Sequence, residues 1–146
     1  ASIRSLGTVG GTIASADPDS TFVAALLVHD AHVELAGSDD TSLAALLDSG
    51  IPAGAIITAV LIDPSGVTAS RATGRTPADT PIVSAVARTV GSTATLALTG
   101  VATTAVIVAP EDPTNGLNPP GDFRGSSAYR LHLASILSAR ALEAVR

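Results

Sequence analysis

From residue 21 the chain reads TFVAALLVHD, in which Phe22, Val23, Leu26 and Leu27 recur at helical spacing behind the cluster DPDS. Asp19 or Ser20 supplies an N-cap and Pro18 lies close to a first helical position, so a helix is predicted over 21–30. In AHVELAG, residues 31–37, Val33 and Leu35 alternate with His32 and Glu34, the pattern of a half-buried strand. DDTSLAALLDSG follows as a capped, short apolar helix stopped at Gly50. AIITAVLIDPSG, residues 55–66, is a β-branched strand ending in a turn, and VTASRATG a second strand on a short connection. TPIVSAVART, TATLALTG and VATTAVIVAP then read as three strands of an antiparallel meander. Residues 110–121 hold four of the nine prolines and form a loop. The chain closes on a helix from Ser126 or Ser127 to residue 146, about 30 Å long at 1.5 Å per residue. Its apolar positions (Leu131, Leu133, Ile136, Leu137, Leu142, Val145) lie on more than one side, which predicts a helix clamped between elements.

Composition narrows the chemistry. The 146 residues suit one domain or two small ones sharing a core. Cys, Met, Trp and Lys are absent, all eight basic residues are Arg, and only Phe22, Phe123 and Tyr129 are aromatic. The core is therefore built from Ala, Val, Leu and Ile. Without Cys there is no disulfide framework, thiolate metal site or iron–sulfur ligation within the chain. A net charge of −5 with three aromatics argues against nucleic acid as a partner. No apolar run reaches membrane-spanning length and no basic, then apolar, leader is visible, so a soluble, cytoplasmic protein is expected. Beginning on Ala1, the sequence is expected to be a processed product, a trimmed piece or a fragment.

Four groups of residues could carry chemistry. In GTVGGT, residues 7–12, paired glycines between Thr8 and Thr12 make either an ordinary tight turn or a concavity of backbone N–H groups for a phosphate. It is neither a dinucleotide fingerprint nor a Walker loop. His29, Asp30 and His32 straddle a helix-to-strand boundary, so a shared metal-binding face would be accidental and no metal site is expected. Ser, His and Asp occur without a nucleophile elbow, and no catalytic residue is assigned. In GDFRGSSAYR, residues 121–130, Asp122, Arg124, Tyr129 and Arg130 cluster at a helix start, where ion pairing and packing point to folding or docking.

The two ends together resemble one family. IRSLGTVGGTIASADPDS, followed by a helix and DAHVELAG, is similar to the second half of the FAD-binding domain of the molybdenum hydroxylases. This is the xanthine dehydrogenase and carbon monoxide dehydrogenase family, in its medium, flavoprotein subunit. RATGRTPADTPIVSAVA looks like the entry to that subunit's C-terminal domain, and GDFRGSSAYRLHLASILSARALEAV like its closing helix. The resemblance covers essentially the whole chain.

It implies an α+β chain in two parts. Residues 1–66 would be the second FAD-binding subdomain, of mixed sheet and helices. Residues 67–146 would be a three-stranded antiparallel sheet packed with the long C-terminal helix. Thr8, Val9, Gly10, Gly11 and Thr12 fall on the segment that packs against the flavin in the family. Ser20 and Thr21 fall on a following Ser-Asp pair, with Thr21 standing where the family has Asp. Ile57 falls near the flavin, and Arg71 on a basic position further along; Asp17 reads equally well as a turn residue. The implied role is electron transfer through FAD, from a molybdopterin-binding large subunit and a 2Fe-2S small subunit to an acceptor. The family's N-terminal subdomain, with its own Gly-rich segment for the FAD pyrophosphate, has no counterpart here, and the C-terminal helices are reduced. The rival expectation is a truncated, non-catalytic homologue that keeps the fold and the subunit-docking surface but binds no FAD. A phosphate-binding domain unrelated to flavin rests on the glycine pair alone.

Overall fold

The computed structural model describes residues 7–74, 76 and 79–146. Ile3 to Leu6 of the opening motif, and Arg75, Pro77 and Ala78 of RATGRTPADT, lie outside the described residues. The elements in chain order are α1 (Val9–Ala14), α2 (Thr21–Val28), β1 (His32–Leu35), β2 (Thr41–Ser42), α3 (Leu43–Ser49), β3 (Ile57–Leu61), β4 (Val67–Thr73), β5 (Val83–Val90), β6 (Thr93–Thr99), β7 (Val106–Val108) and α4 (Ser127–Glu143).

Serine caps start three of the helices. Ser20 Oγ accepts from the Val23 amide, Ser42 Oγ from Ala45 and Ser126 Oγ from Tyr129, each satisfying one first-turn donor. At the first and last of these the cap is Ser20 rather than Asp19, and Ser126 rather than Ser127. Helix α2 ends at Val28 instead of running to Asp30, because Asp30 takes a positive φ of 50° that turns the chain into β1.

The strands sort into two antiparallel sheets, one in the order β2-β1-β3 and one in the order β4-β5-β6-β7. The connection from 62 to 66 crosses from one sheet to the other, so β3 and β4 do not pair with each other. Strand β3 pairs with β1 and β4 with β5. The expected meander is present as β5-β6-β7, and β4 adds a fourth strand at its edge.

The four-stranded sheet is the centre of the molecule. Val86 and Ala97 join the core around α2 and α3, with Val23, Leu27, Val33, Leu43 and Ala105. Ala85, Ala87, Leu96 and Leu98 face the other way, into a cluster with Leu133, Ala134, Leu137 and Ala141 of α4. Strand β5 is therefore buried on both faces and reads as a near-continuous apolar run. Helix α4 buries one side on this sheet while His132, Ser135 and Arg140 remain exposed. It covers a face and is not clamped on two sides; Leu131, Ile136 and Leu142 sit half-buried at its margins.

Candidate functional site

The glycine pair is not a turn. Gly10 and Gly11 lie inside the first turn of α1, and neither has a positive φ. Thr8 is the N-cap: its Oγ1 accepts from the Gly11 amide at 3.0 Å, while its carbonyl accepts from the Thr12 amide at 3.0 Å and the Thr12 hydroxyl at 3.1 Å. Glycine is needed here for closeness. A Cβ on Gly10 would come within 3.3 Å of the Ile57 Cβ, and one on Gly11 within 2.9 Å of Thr8 Oγ1. The bare Gly10 lets α1 lie directly on β3, the bare Gly11 leaves room for the Thr8 cap, and Ile13 is fully buried as the anchor.

That contact creates an open concavity of about 240 Å³ lined by Val9, Gly10, Ile57, Thr58, Ala59 and Val60. Two strips meet there: one half-exposed helix turn and one strand. Val9 is 47% exposed beside it. The first-turn amides of Val9 and Gly10 have no partner within the helix. Of the residues the resemblance points to, Val9, Gly10 and Ile57 line this concavity, while Thr8, Gly11 and Thr12 neighbour it along the chain without lining it.

Ser20 and Thr21 make their hydrogen bonds within the fold. Ser20 caps α2, and Thr21 Oγ1 lies 2.9 Å from Ser84 Oγ, which in turn lies 2.6 Å from Thr99 Oγ1. Asp17 Oδ1 accepts from the Asp19 amide, closing a local turn. Arg71 stands exposed on β4, in the other sheet from Ile57, and donates to the Ser70 carbonyl. The histidines go to separate partners. His29 reaches the Asp63 carbonyl through Nδ1 and the Thr68 hydroxyl through Nε2, whereas His32 pairs with Asp40.

Three arginines organise the rest, of which Arg88 and Arg130 are buried. Arg130 donates to the carbonyls of Ile82 at 3.0 Å and Gly100 at 2.8 Å, and to Asp122 Oδ2 at 2.8 Å. Arg124 pairs with Asp19, tying α4's entry to the segment before α2. The Arg130 hydrogen bond, opposed by partial desolvation, holds the Asp122 carboxyl below its ordinary value. The closing motif is thus a folding device, as its ion-pairing residues suggest. Sequence reading missed Arg88. Its guanidinium binds the carbonyls of Ser65 and Val28, the Ser65 hydroxyl and the Asp63 carboxylate. The Ser65 amide, followed by Arg88, lowers Asp63 to about 2. The one signal available was a charged residue inside the apolar run of β5.

Among the described residues no helix is long and apolar enough to cross a membrane. The chain is 28% identical over 151 aligned positions to the uncharacterized protein YgfM of Escherichia coli, covering 94% of this chain and 58% of that one. Its fold matches a chain of carbon monoxide dehydrogenase from Hydrogenophaga pseudoflava lacking the Mo-pyranopterin moiety of the molybdenum cofactor, with a TM-score of 0.87 and 21% identity. It likewise matches a chain of quinoline 2-oxidoreductase from Pseudomonas putida 86, at 0.83 and 21%. Each match covers 99% of this chain but only 62% of the other, so the chain spans about three-fifths of its relatives' length. Residues 1–65 match the FAD binding domain in molybdopterin dehydrogenase, in line with the resemblance carried by the opening motif, and the whole chain carries the fold of those oxidoreductase chains.

Proposed function

We propose that the chain supplies one wall of an FAD site in a molybdenum-containing oxidoreductase. The observation that carries this reading is the Gly10–Ile57 contact, beside which a concavity opens inside the segment matched to the FAD binding domain. The residues fit part of a flavin. A concavity of about 240 Å³ takes one face or edge of the cofactor, not its whole length. Val9, Ile57 and Val60 offer it apolar contact. FAD bound there would accept and pass on electrons, and the redox chemistry would be the flavin's. The chain's own residues bind, orient and shield it; none acts as acid, base or nucleophile. In the longer protein the electrons would come from molybdopterin and 2Fe-2S subunits in the cytoplasm and leave to an external acceptor.

A second reading, a homologue that keeps the fold but holds no FAD, is favoured by one observation. Thr21, where the family has Asp, shares a hydrogen bond with the Ser84 hydroxyl and offers no carboxylate. Titration of the purified chain with FAD, followed by flavin fluorescence, separates the two. Quenching that saturates, and that Gly10→Val abolishes while the circular dichroism spectrum is retained, supports the wall. Unchanged fluorescence with a folded chain supports the second reading.

A further inference from the structure

The chain carries two side-chain amides, Asn115 and Asn118, and no glutamine. Both lie in the proline-rich connection between β7 and α4, and the residue after each decides its chemistry. Asn118 precedes Pro119, which has no backbone N–H. Asn115 precedes Gly116, whose missing Cβ leaves its amide unhindered. Asn115 and Gly116 are both exposed, and a Cβ built on Gly116 would meet nothing within 4 Å. Among the described residues, neither the Asn115 side chain nor the Gly116 N–H has a hydrogen-bond partner.

We propose that Asn115 is a modification site, at which the chain deamidates itself. The Gly116 amide gives its proton to hydroxide or a buffer base, and its nitrogen attacks Asn115 Cγ. A new Cγ–N bond closes a five-membered succinimide, and the Cγ–Nδ2 bond breaks with release of ammonia. Water then opens the ring at one of its two carbonyls. Opening at Cγ leaves aspartate; opening at the main-chain carbonyl leaves isoaspartate, with the backbone rerouted through Cβ. One water is consumed and one ammonia released, with no change of oxidation state.

The local turn sets the pace. The Leu117 amide donates to the Thr114 carbonyl at 3.2 Å, and Gly116 has a φ of 73° while that of Asn115 is not positive, which makes a type II turn. Such a turn holds ψ of its second residue at about +120°. Ring closure needs that bond rotated far round, to bring the Gly116 nitrogen to Cγ, so the turn must open first. One surface hydrogen bond closes it, and exposed segments of this kind open at little cost. The folded chain should therefore react more slowly than the unfolded one, but still react. The product adds a negative charge, and isoaspartate would lengthen the backbone just ahead of Leu117, which packs against the α4 core. The inference stands independently of flavin binding.

The test uses the whole chain without cofactor, held at physiological temperature and mildly alkaline pH beside a sample unfolded in urea. Intact mass spectrometry should show the folded chain gaining the mass difference of a single carboxyl for a carboxamide, faster as the pH is raised. Fragmentation of the tryptic peptide 89–124 should place the gain at Asn115, and an isoaspartyl methyltransferase should label the product. Asn115→Gln, at an exposed position the fold tolerates, should gain nothing. A folded chain that keeps its mass after the unfolded sample has converted overturns the inference. So does an unfolded sample that never converts, a gain located at Asn118, or an Asn115→Gln variant that gains the same mass.

Discussion

Arg130→Met should be among the most damaging single changes in this chain. The side chain is almost fully buried, and its guanidinium satisfies the carbonyls of Ile82 and Gly100 together with Asp122. Methionine fills much of the same volume but donates nothing. Each buried carbonyl left without a donor costs about 1–3 kcal/mol. Against that stands the relief of burying a cation whose Nε has no partner in the fold. The balance is a loss of roughly 3 kcal/mol, and a chain of this size then melts roughly 6–12 °C lower. Arg130→Lys should fall between, since an ammonium cannot reproduce the guanidinium fork that spans acceptors on three connecting segments. Urea denaturation followed by circular dichroism, with m-values compared, provides the measurement. A Met variant within about 0.5 kcal/mol of the parent, the range of ordinary surface changes, would refute the reasoning. It would mean that water or backbone movement satisfies both carbonyls.

Other outcomes follow from the same structure. Gly100→Ala should destabilise the chain strongly, because the residue has a φ of 73° and a Cβ would overlap the Ile82 carbonyl; thermal melting checks it. Thr99→Val should cost more than Ser84→Ala, since Thr99 Oγ1 serves both the Ser84 amide and its hydroxyl, and paired urea curves would show the order. The Asp63 carboxyl sits at about 2 when folded against an ordinary 3.8, so it adds stability above pH 4 that is lost as the pH falls toward 2. Asp63→Asn should flatten that part of the acid-unfolding curve, and an unchanged slope counts against the assignment. Phe123→Ser should leave the melting temperature within error, the ring being 89% exposed.

The main helices and strands were legible because their patterns are strong. Serine caps precede apolar runs at α2, α3 and α4, and β-branched stretches bounded by glycine mark β3, β5 and β6. What was not legible depended on partners distant in sequence. Gly10 and Gly11 read as a turn because paired glycines permit one; only the closeness of Ile57, forty-seven residues on from Gly10, shows why a helix there needs a bare backbone at Gly10. Strands β3 and β4 are neighbours in sequence with a turn signal between them, yet the turn redirects the chain to a different sheet, held by Arg88 reaching Ser65 and Asp63. The apolar excess of α4 suggested two packed sides, but small and half-buried residues at its margins account for it. For the candidate site, the segment from Thr8 to Thr12 stood out from its own residues as a turn or a phosphate concavity, its flavin role and Ile57 came from family resemblance, and the structure adds why Gly10 and Ile57 meet. Ser20 and Thr21 entered the same way, and their hydrogen bonds turn out to be committed to the fold.

The hydroxyl pair between β5 and β6 has a consequence for how the sheet finds its alignment. A strand with one wet face is kept in step because a slip of one residue would expose its apolar set. Strand β5 lacks that safeguard, since alanines and valines point both ways and an offset pairing would bury much the same surface. Ser84 and Thr99 are directly opposite in the pairing, and a shift of one residue would strand both hydroxyls among apolar side chains. Four residues along, Arg88 would swing to the opposite face, away from the Val28 carbonyl. In the aliphatic interior of this sheet, these few buried polar groups distinguish the native alignment from its neighbours.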